Sequence, residues 1–231
     1  MRDLLSVPLT TVQIKYPLRV LVGCERSGIV RDAFLQRGHD AWSCDLAPDV
    51  RGSNRHIRCD VRDILGDGWD LLMVAHPPCT RLCNSGVRWL SSPPPGRSLP
   101  DMWRELDEAA DFFSEMWNAD IPRIAVENPI MHRHAKARIR NFQPHTQSFH
   151  PWQFGTDPHG PDNEKKRICM WLRGLPLLVP NGTLDGKTAR DSVHKTPGGP
   201  RQAVRRARFF PGVADAMAEQ WGGWAVRQEA A

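Results

Sequence analysis

Leu71-Leu72-Met73-Val74-Ala75-His76-Pro77-Pro78-Cys79-Thr80-Arg81-Leu82-Cys83-Asn84-Ser85-Gly86 is the stretch on which the reading of the chain turns. An apolar run, Leu71 to Ala75, is bounded by Asp70 and by a proline pair. A short continuous apolar run suits a strand buried on both faces of a parallel sheet. Pro77 and Pro78 lack the amide hydrogen a ladder needs, so the strand stops there. Cys79 then lies just past the carboxyl end of a strand, which is where open α/β sheets bind ligands. The prolines also stiffen the approach, as a positioned nucleophile requires. A buried structural cysteine fits the same place, since free cysteines are among the most buried residues.

Upstream, Leu18, Val20, Leu21 and Val22 read as a first strand ending at Gly23. The loop Gly23-Cys24-Glu25-Arg26-Ser27-Gly28 follows. Ile29, Val30, Ala33, Phe34 and Leu35 then recur at helix spacing, with Gly38 as a stop. Ala41 to Cys44 is a second strand with Asp45 at its tip. Strand, glycine loop, helix, strand and acid in that order is the layout of a nucleotide-binding α/β half. The loop is GxxxxG, without the dinucleotide fingerprint or the Lys-Ser/Thr of a phosphate loop. A pyrophosphate is therefore not indicated, while Asp45 suits ribose hydroxyls. A cofactor with an adenosine and no phosphates fits, and S-adenosylmethionine is the candidate. His56 to Val61 reads as a third strand with Asp60 at its tip. There a carboxylate can accept from an adenine amino group, or simply start a solvated turn.

Downstream, residues 80–101 are rich in Ser, Pro and Gly and read as a long loop, a candidate lid. Trp103 to Trp117 is a helix with Leu106, Ala109, Ala110, Phe113 and Met116 on its core face. Arg123 to Val126 leads to Glu127, Asn128 and Pro129, a second apolar strand ended by an acid and a proline. In a parallel sheet Glu127 and Cys79 would open on one edge. Met131 to Arg140 carries His132, Arg133, His134, Lys136, Arg138 and Arg140, suited equally to a solvated helix face or to phosphates. Lys165-Lys166-Arg167 leads into the strand Ile168 to Leu172. Residues 174–200 are turn-rich, Arg201 to Arg208 carries four arginines, and Phe209-Phe210-Pro211 opens a last helix, Val213 to Trp221, stopped by Gly222-Gly223.

The chain has 231 residues, a net charge of +5, 40% hydrophobic and 25% charged residues. That is ordinary for a globular protein with its own core, and we expect one domain over 1–231. The basic balance permits a polyanionic partner. No apolar run has the length of a membrane span, and Met1 to Tyr16 lacks the pattern of a signal peptide. Six scattered cysteines without a CxxC read as free thiols in a reducing, cytoplasmic compartment.

In this order, the pieces resemble the DNA cytosine-5 methyltransferases. The likeness rests on Pro77-Pro78-Cys79 with Ser85-Gly86 downstream, then Glu127-Asn128, then Lys165-Lys166-Arg167, with the glycine loop and the acids Asp45 and Asp60. It covers roughly 18–173, and the closing Phe-Pro-Gly helix is similar to the end of small phage-encoded members. The resemblance implies a Rossmann-like α/β fold with a mainly parallel sheet flanked by helices. It implies Cys79 as nucleophile, Glu127 as a carboxyl on the base, Arg167 on the base O2 and Lys165 in support. It assigns S-adenosylmethionine to Gly23, Cys24, Glu25, Ser27, Gly28, Asp45, Asp60, Val61 and Pro77, with no metal. The expected partner of a monomer is DNA, in a bacterial host cell if the chain is phage-encoded. The chain departs from the family pattern at Thr80, where glutamine is usual, at Pro129, where valine is usual, and in its glycine loop. Only 174–200 is left for target recognition, so a short or relaxed sequence context is expected. The readers there are Asn181, Lys187, Arg190, His194 and Lys195, with Arg201, Arg205, Arg206 and Arg208 suited to phosphates.

Rival readings keep the fold but modify another pyrimidine or transfer another group, or keep DNA binding without catalysis. A zinc nucleobase deaminase needs HxE and PCxxC. Here the spacing is Cys79-x3-Cys83 and no HxE occurs.

Overall fold

The computed structural model describes residues 16–192 and 209–229. Its strands are β1 (Arg19–Gly23), β2 (Asp40–Cys44), β3 (His56–Ile57), β4 (Leu71–Val74), β5 (Arg123–Glu127), β6 (Gln147–Phe149) and β7 (Ile168–Arg173). They form one seven-stranded sheet in the order β3-β2-β1-β4-β5-β7-β6. β1 to β5 run parallel where they pair, and β7 is antiparallel to both β5 and β6. The sheet is therefore mixed and mostly parallel.

Side chains alternate across the sheet, as strand geometry dictates. Val20, Val22, Leu71 and Met73 pack against α1 (Ile29–Gln36) and a helix at Pro211–Glu229. Leu21, Leu72, Val74, Ile124 and Val126 pack on the other face against α2 (Leu99–Trp117) and α3 (Arg133–Lys136). The helix at Pro211–Glu229 is α4 below. Strands buried from both sides explain why β1, β4 and β5 are near-continuous apolar runs.

Several elements differ from expectation, each for a local reason. α2 begins at Leu99 rather than Trp103, because Ser98 and Asp101 form a reciprocal capping box with Pro100 in the first turn. α4 runs through Gly222-Gly223 instead of stopping. A Cβ on Gly222 would lie 2.3 Å from His39 Nε2, so the glycine lets the helix pass close to His39. The third strand is only His56–Ile57, since the Asp60 carboxylate caps a 3₁₀ turn at Val61–Ile64. Residues 80–101 contain a 3₁₀ helix at Asn84–Leu90, and the basic stretch after Met131 is helical only at Arg133–Lys136.

After β7 the chain is irregular but stitched down. The Gln147 amide exchanges bonds with the Leu178 backbone (2.6 and 2.9 Å), and Gly182 N donates to Gln153 O (2.9 Å). Residues 193–208, with His194, Lys195 and the four arginines, lie outside the described residues. No helix among the described residues is long and apolar enough to cross a membrane. No group of three or more His, Cys, Asp or Glu among them is placed to hold a metal ion.

Candidate active site

Parallel strands deliver their carboxyl ends to one edge, and antiparallel β7 brings its amino end there too. β1 has β2 on one side and β4 on the other, so strand order reverses between β1 and β4. Such a switch point opens a crevice at the carboxyl edge. Gly23, Asp45, Cys79, Glu127 and the residues before β7 all border that edge.

Cys79 opens a tight turn. Its carbonyl accepts from Leu82 N and Cys83 N, each at 3.0 Å. Gly86 folds back under the turn, where a Cβ would lie 2.0 Å from the Thr80 carbonyl oxygen. Asn84 N donates to Ile130 O (3.2 Å), His132 N donates to Leu82 O (3.0 Å), and Cys83 bridges to Met131. The turn carrying Cys79 is thus bolted to the segment that follows Glu127. The expected lid is packed structure through Leu90, with Arg81 bonded to Glu105 of α2 (2.7 Å).

The electrostatics centre on a residue the motif reading passed over. Lys165 and Arg167 are exposed, whereas Lys166 is half-buried. Counting back from buried Ile168 in steps of two places Lys166 on the face of Ile168 and Met170, a signal present in the sequence. Lys166 Nζ lies 5.7 Å from the Phe210 ring centroid. Its charge reaches Cys79, Glu127 and His76. Burial, then Glu127 and Cys83, push the Cys79 thiol up to about 12, against Lys166. Burial also raises the Glu127 carboxyl, again opposed by Lys166. Glu127 is 3% exposed, and its Oε1 has no hydrogen-bond partner among the described residues. His76, another residue missed, is driven down to about 3 by burial and by Lys166, so its ring is neutral. It packs 5.7 Å from the ring of Phe209.

At the β1 end the expected cofactor residues divide into two sets. Cys24 takes a left-handed φ of 56°, and its thiol is raised by burial and by the nearby Asp45, Cys44 and Asp60. The tips of β1, β2 and the 3₁₀ turn therefore converge. Gly23 is there because Val61 packs on it, a Cβ meeting Val61 Cγ2 at 2.9 Å. Asp45 Oδ1 accepts from Ala47 N (2.8 Å). Asp60 holds the Arg62 guanidinium through both oxygens, which keeps its carboxyl below the usual range. Pro77 is buried. Glu25, Ser27 and Gly28 instead face inward. Glu25 is fully buried and accepts from Val30 N (2.8 Å), Arg31 N (3.2 Å) and Ser27 Oγ (3.2 Å). Burial pushes its carboxyl up to about 7 despite these donors. Gly28, at φ 69°, leaves room for the Arg31 guanidinium, which bonds Ser43 and Asp49.

The basic stretch near α3 is half neutralised, Arg133 and Lys136 being exposed without an ion-pair partner among the described residues. Arg138 pairs with Asp107 and Arg140 with Asp111, both acids on α2. Of the expected readers, Arg190 is taken up by the Gly160 carbonyl and by Glu164, while Asn181 and Lys187 are exposed. No protein-family model matches the chain, and no curated protein matches it.

Proposed function

We propose that the chain transfers a methyl group from S-adenosylmethionine to C5 of cytosine in DNA, through a transient bond between Cys79 and C6. The observation that supports this reading is the convergence of Cys79, Glu127 and Lys166 at one sheet edge, with the buried Glu127 Oε1 unpartnered among the described residues. C5 of cytosine is a weak nucleophile, and a thiolate added at C6 makes it an enamine carbon. Burial raises the Glu127 carboxyl, which helps it carry a proton to N3 as sulfur bonds to C6. The C5–C6 π electrons move to C4–C5, and those of C4–N3 move onto N3. The proton leaving Cys79 restores Glu127. Lys166 stabilises negative charge on sulfur and on the base carbonyl. Neutral His76 adds bulk without charge and is too weak a base to take part near neutral pH.

Cys24, Asp45, Asp60 and Val61 would hold the cofactor. Asp45 Oδ2 has no protein donor among the described residues and suits a ribose hydroxyl, and the Asp45 charge, unlike that of the Arg62-paired Asp60, favours a cationic sulfonium. The Glu25 carboxylate already fills the first turn of α1, which disfavours a phosphate there. When bound, S-adenosylmethionine supplies the methyl group that C5 accepts. Loss of the C5 proton to water then re-forms the C5–C6 bond and expels the Cys79 thiolate, while Glu127 passes its proton to that thiolate and is restored by the proton from N3.

The test is DNA containing 5-fluorocytosine, incubated with the protein and S-adenosylmethionine. Fluorine blocks the last proton loss, so a denaturation-resistant protein–DNA adduct should accumulate. Cys79→Ala should form none and should keep its melting temperature. Methyl transfer by Cys79→Ala at the wild-type rate would overturn the reading.

A further inference from the structure

A cytosine must leave the duplex to reach a half-buried thiol, and the gap it leaves in the stack is costly unless filled. The segment 128–132 joins the two arms of the site and is fixed residue by residue. Asn128 N donates to Cys169 O (3.1 Å), and its side chain donates to Pro129 O (2.8 Å). Pro129 has a fixed φ. Ile130 O accepts from Asn84 N, Met131 bridges Cys83, and His132 N donates to Leu82 O. Yet the Ile130 side chain between these anchors is 40% exposed. It follows Glu127 closely and is bonded to the turn that carries Cys79. An apolar side chain presented to water on a rigid mount can be inserted without a large loss of backbone entropy.

Charge marks the same rim. Lys165 and Arg167 are exposed beside Lys166 and have no ion-pair partner among the described residues, unlike Arg138 and Arg140. We propose that Ile130 is a wedge that enters the duplex beside the target cytosine and takes the place of the extruded base. Lys165 and Arg167 hold the adjoining phosphates. This rests on the cytosine reading of the site.

The experiment compares adduct formation on 5-fluorocytosine oligonucleotides, single-stranded and duplex, with S-adenosylmethionine present. Ile130→Ala should slow adduct formation on duplex by about tenfold or more, and on single strands by less than about twofold, because only the duplex must be opened. Ile130→Phe should retain the duplex rate, and an abasic site opposite the cytosine should rescue Ile130→Ala. Equal slowing on both substrates, or none, would overturn the wedge while leaving the cytosine reading standing. Absence of any wild-type adduct on either substrate would overturn both.

Discussion

A thiol held near 12 is a poor nucleophile until a cation or a proton acceptor acts on it. Lys166 and Glu127 pull the Cys79 thiol in opposite directions, and the two effects can be separated by alkylation. At pH 8, Lys166→Met should slow iodoacetamide labelling of Cys79 and Glu127→Gln should speed it. Each change should be about 3–10-fold, the consequence of moving a thiol pKa by about half a unit to one unit. Peptide mass spectrometry distinguishes Cys79 from the other five cysteines. A shift in the same direction for both variants would show that Cys79 does not sense this pair. Wild-type labelling should still be rising at pH 9, because the thiol is far from fully ionised there. At this scale Cys79 and Glu127 were legible in the sequence because prolines mark the strand ends beside them. Lys166 was obscured by two neighbouring cations, and only strand parity counted back from Ile168 separates it from Lys165 and Arg167.

Elements built on long apolar runs were readable, and those built on single hydrogen bonds were not. β1, β2, β4, β5 and β7 follow from pattern, whereas β6 has three residues with only Phe149 buried. The 3₁₀ turn at Val61–Ile64 depends on one carboxylate, Asp60. The turn after Cys79 depends on Gly86. Gly86→Ala must push the Thr80 carbonyl away, and it should destabilise the fold by about 1–3 kcal/mol, the usual cost of overpacking. It should also slow adduct formation by displacing Cys79, read from melting and trapping on the same preparation. α1 offers a test of sign. Glu25 has a folded pKa raised from 4.5 to about 7. The native state therefore binds more protons than the unfolded state across that window. Its contribution is full below about pH 4.5 and is lost as pH rises through about 7. Asp162, raised to about 6 while accepting from Gly212 N, adds the same sign. Melting temperature should fall from pH 5 to pH 8, and Glu25→Gln should flatten the decline. A melting temperature that rises over this range in the wild type would contradict both assignments.

Over the described residues, basic side chains fall into paired and unpaired sets. The acids of α2 neutralise Arg138 and Arg140, while the rim beside β7 keeps Lys165 and Arg167 open. DNA affinity should therefore fall with salt at a slope of about −2 to −4, the signature of a few phosphate contacts from the described rim. Asn181 and Lys187 leave little for base readout, and each good bidentate pair supplies roughly 1–3 kcal/mol of discrimination. Methylation mapped on a random-sequence library should show a context of about two to four bases, as so few base-edge pairings allow. A strict site of about six base pairs would place the readout elsewhere in the chain. The place of β7 late in the sequence has one more effect, on the order in which a ribosome releases the parts. Cys79 emerges first, then Glu127, then Lys166, and Phe209, which lies against His76, later still. A nascent or truncated chain ending between them holds the thiol and the acid without the cation. Domains mature as units during synthesis. On the proposed cytosine reading, competence is then conferred only after Lys166 and Phe209 have been made, so fragments that stop short of them are inert toward DNA.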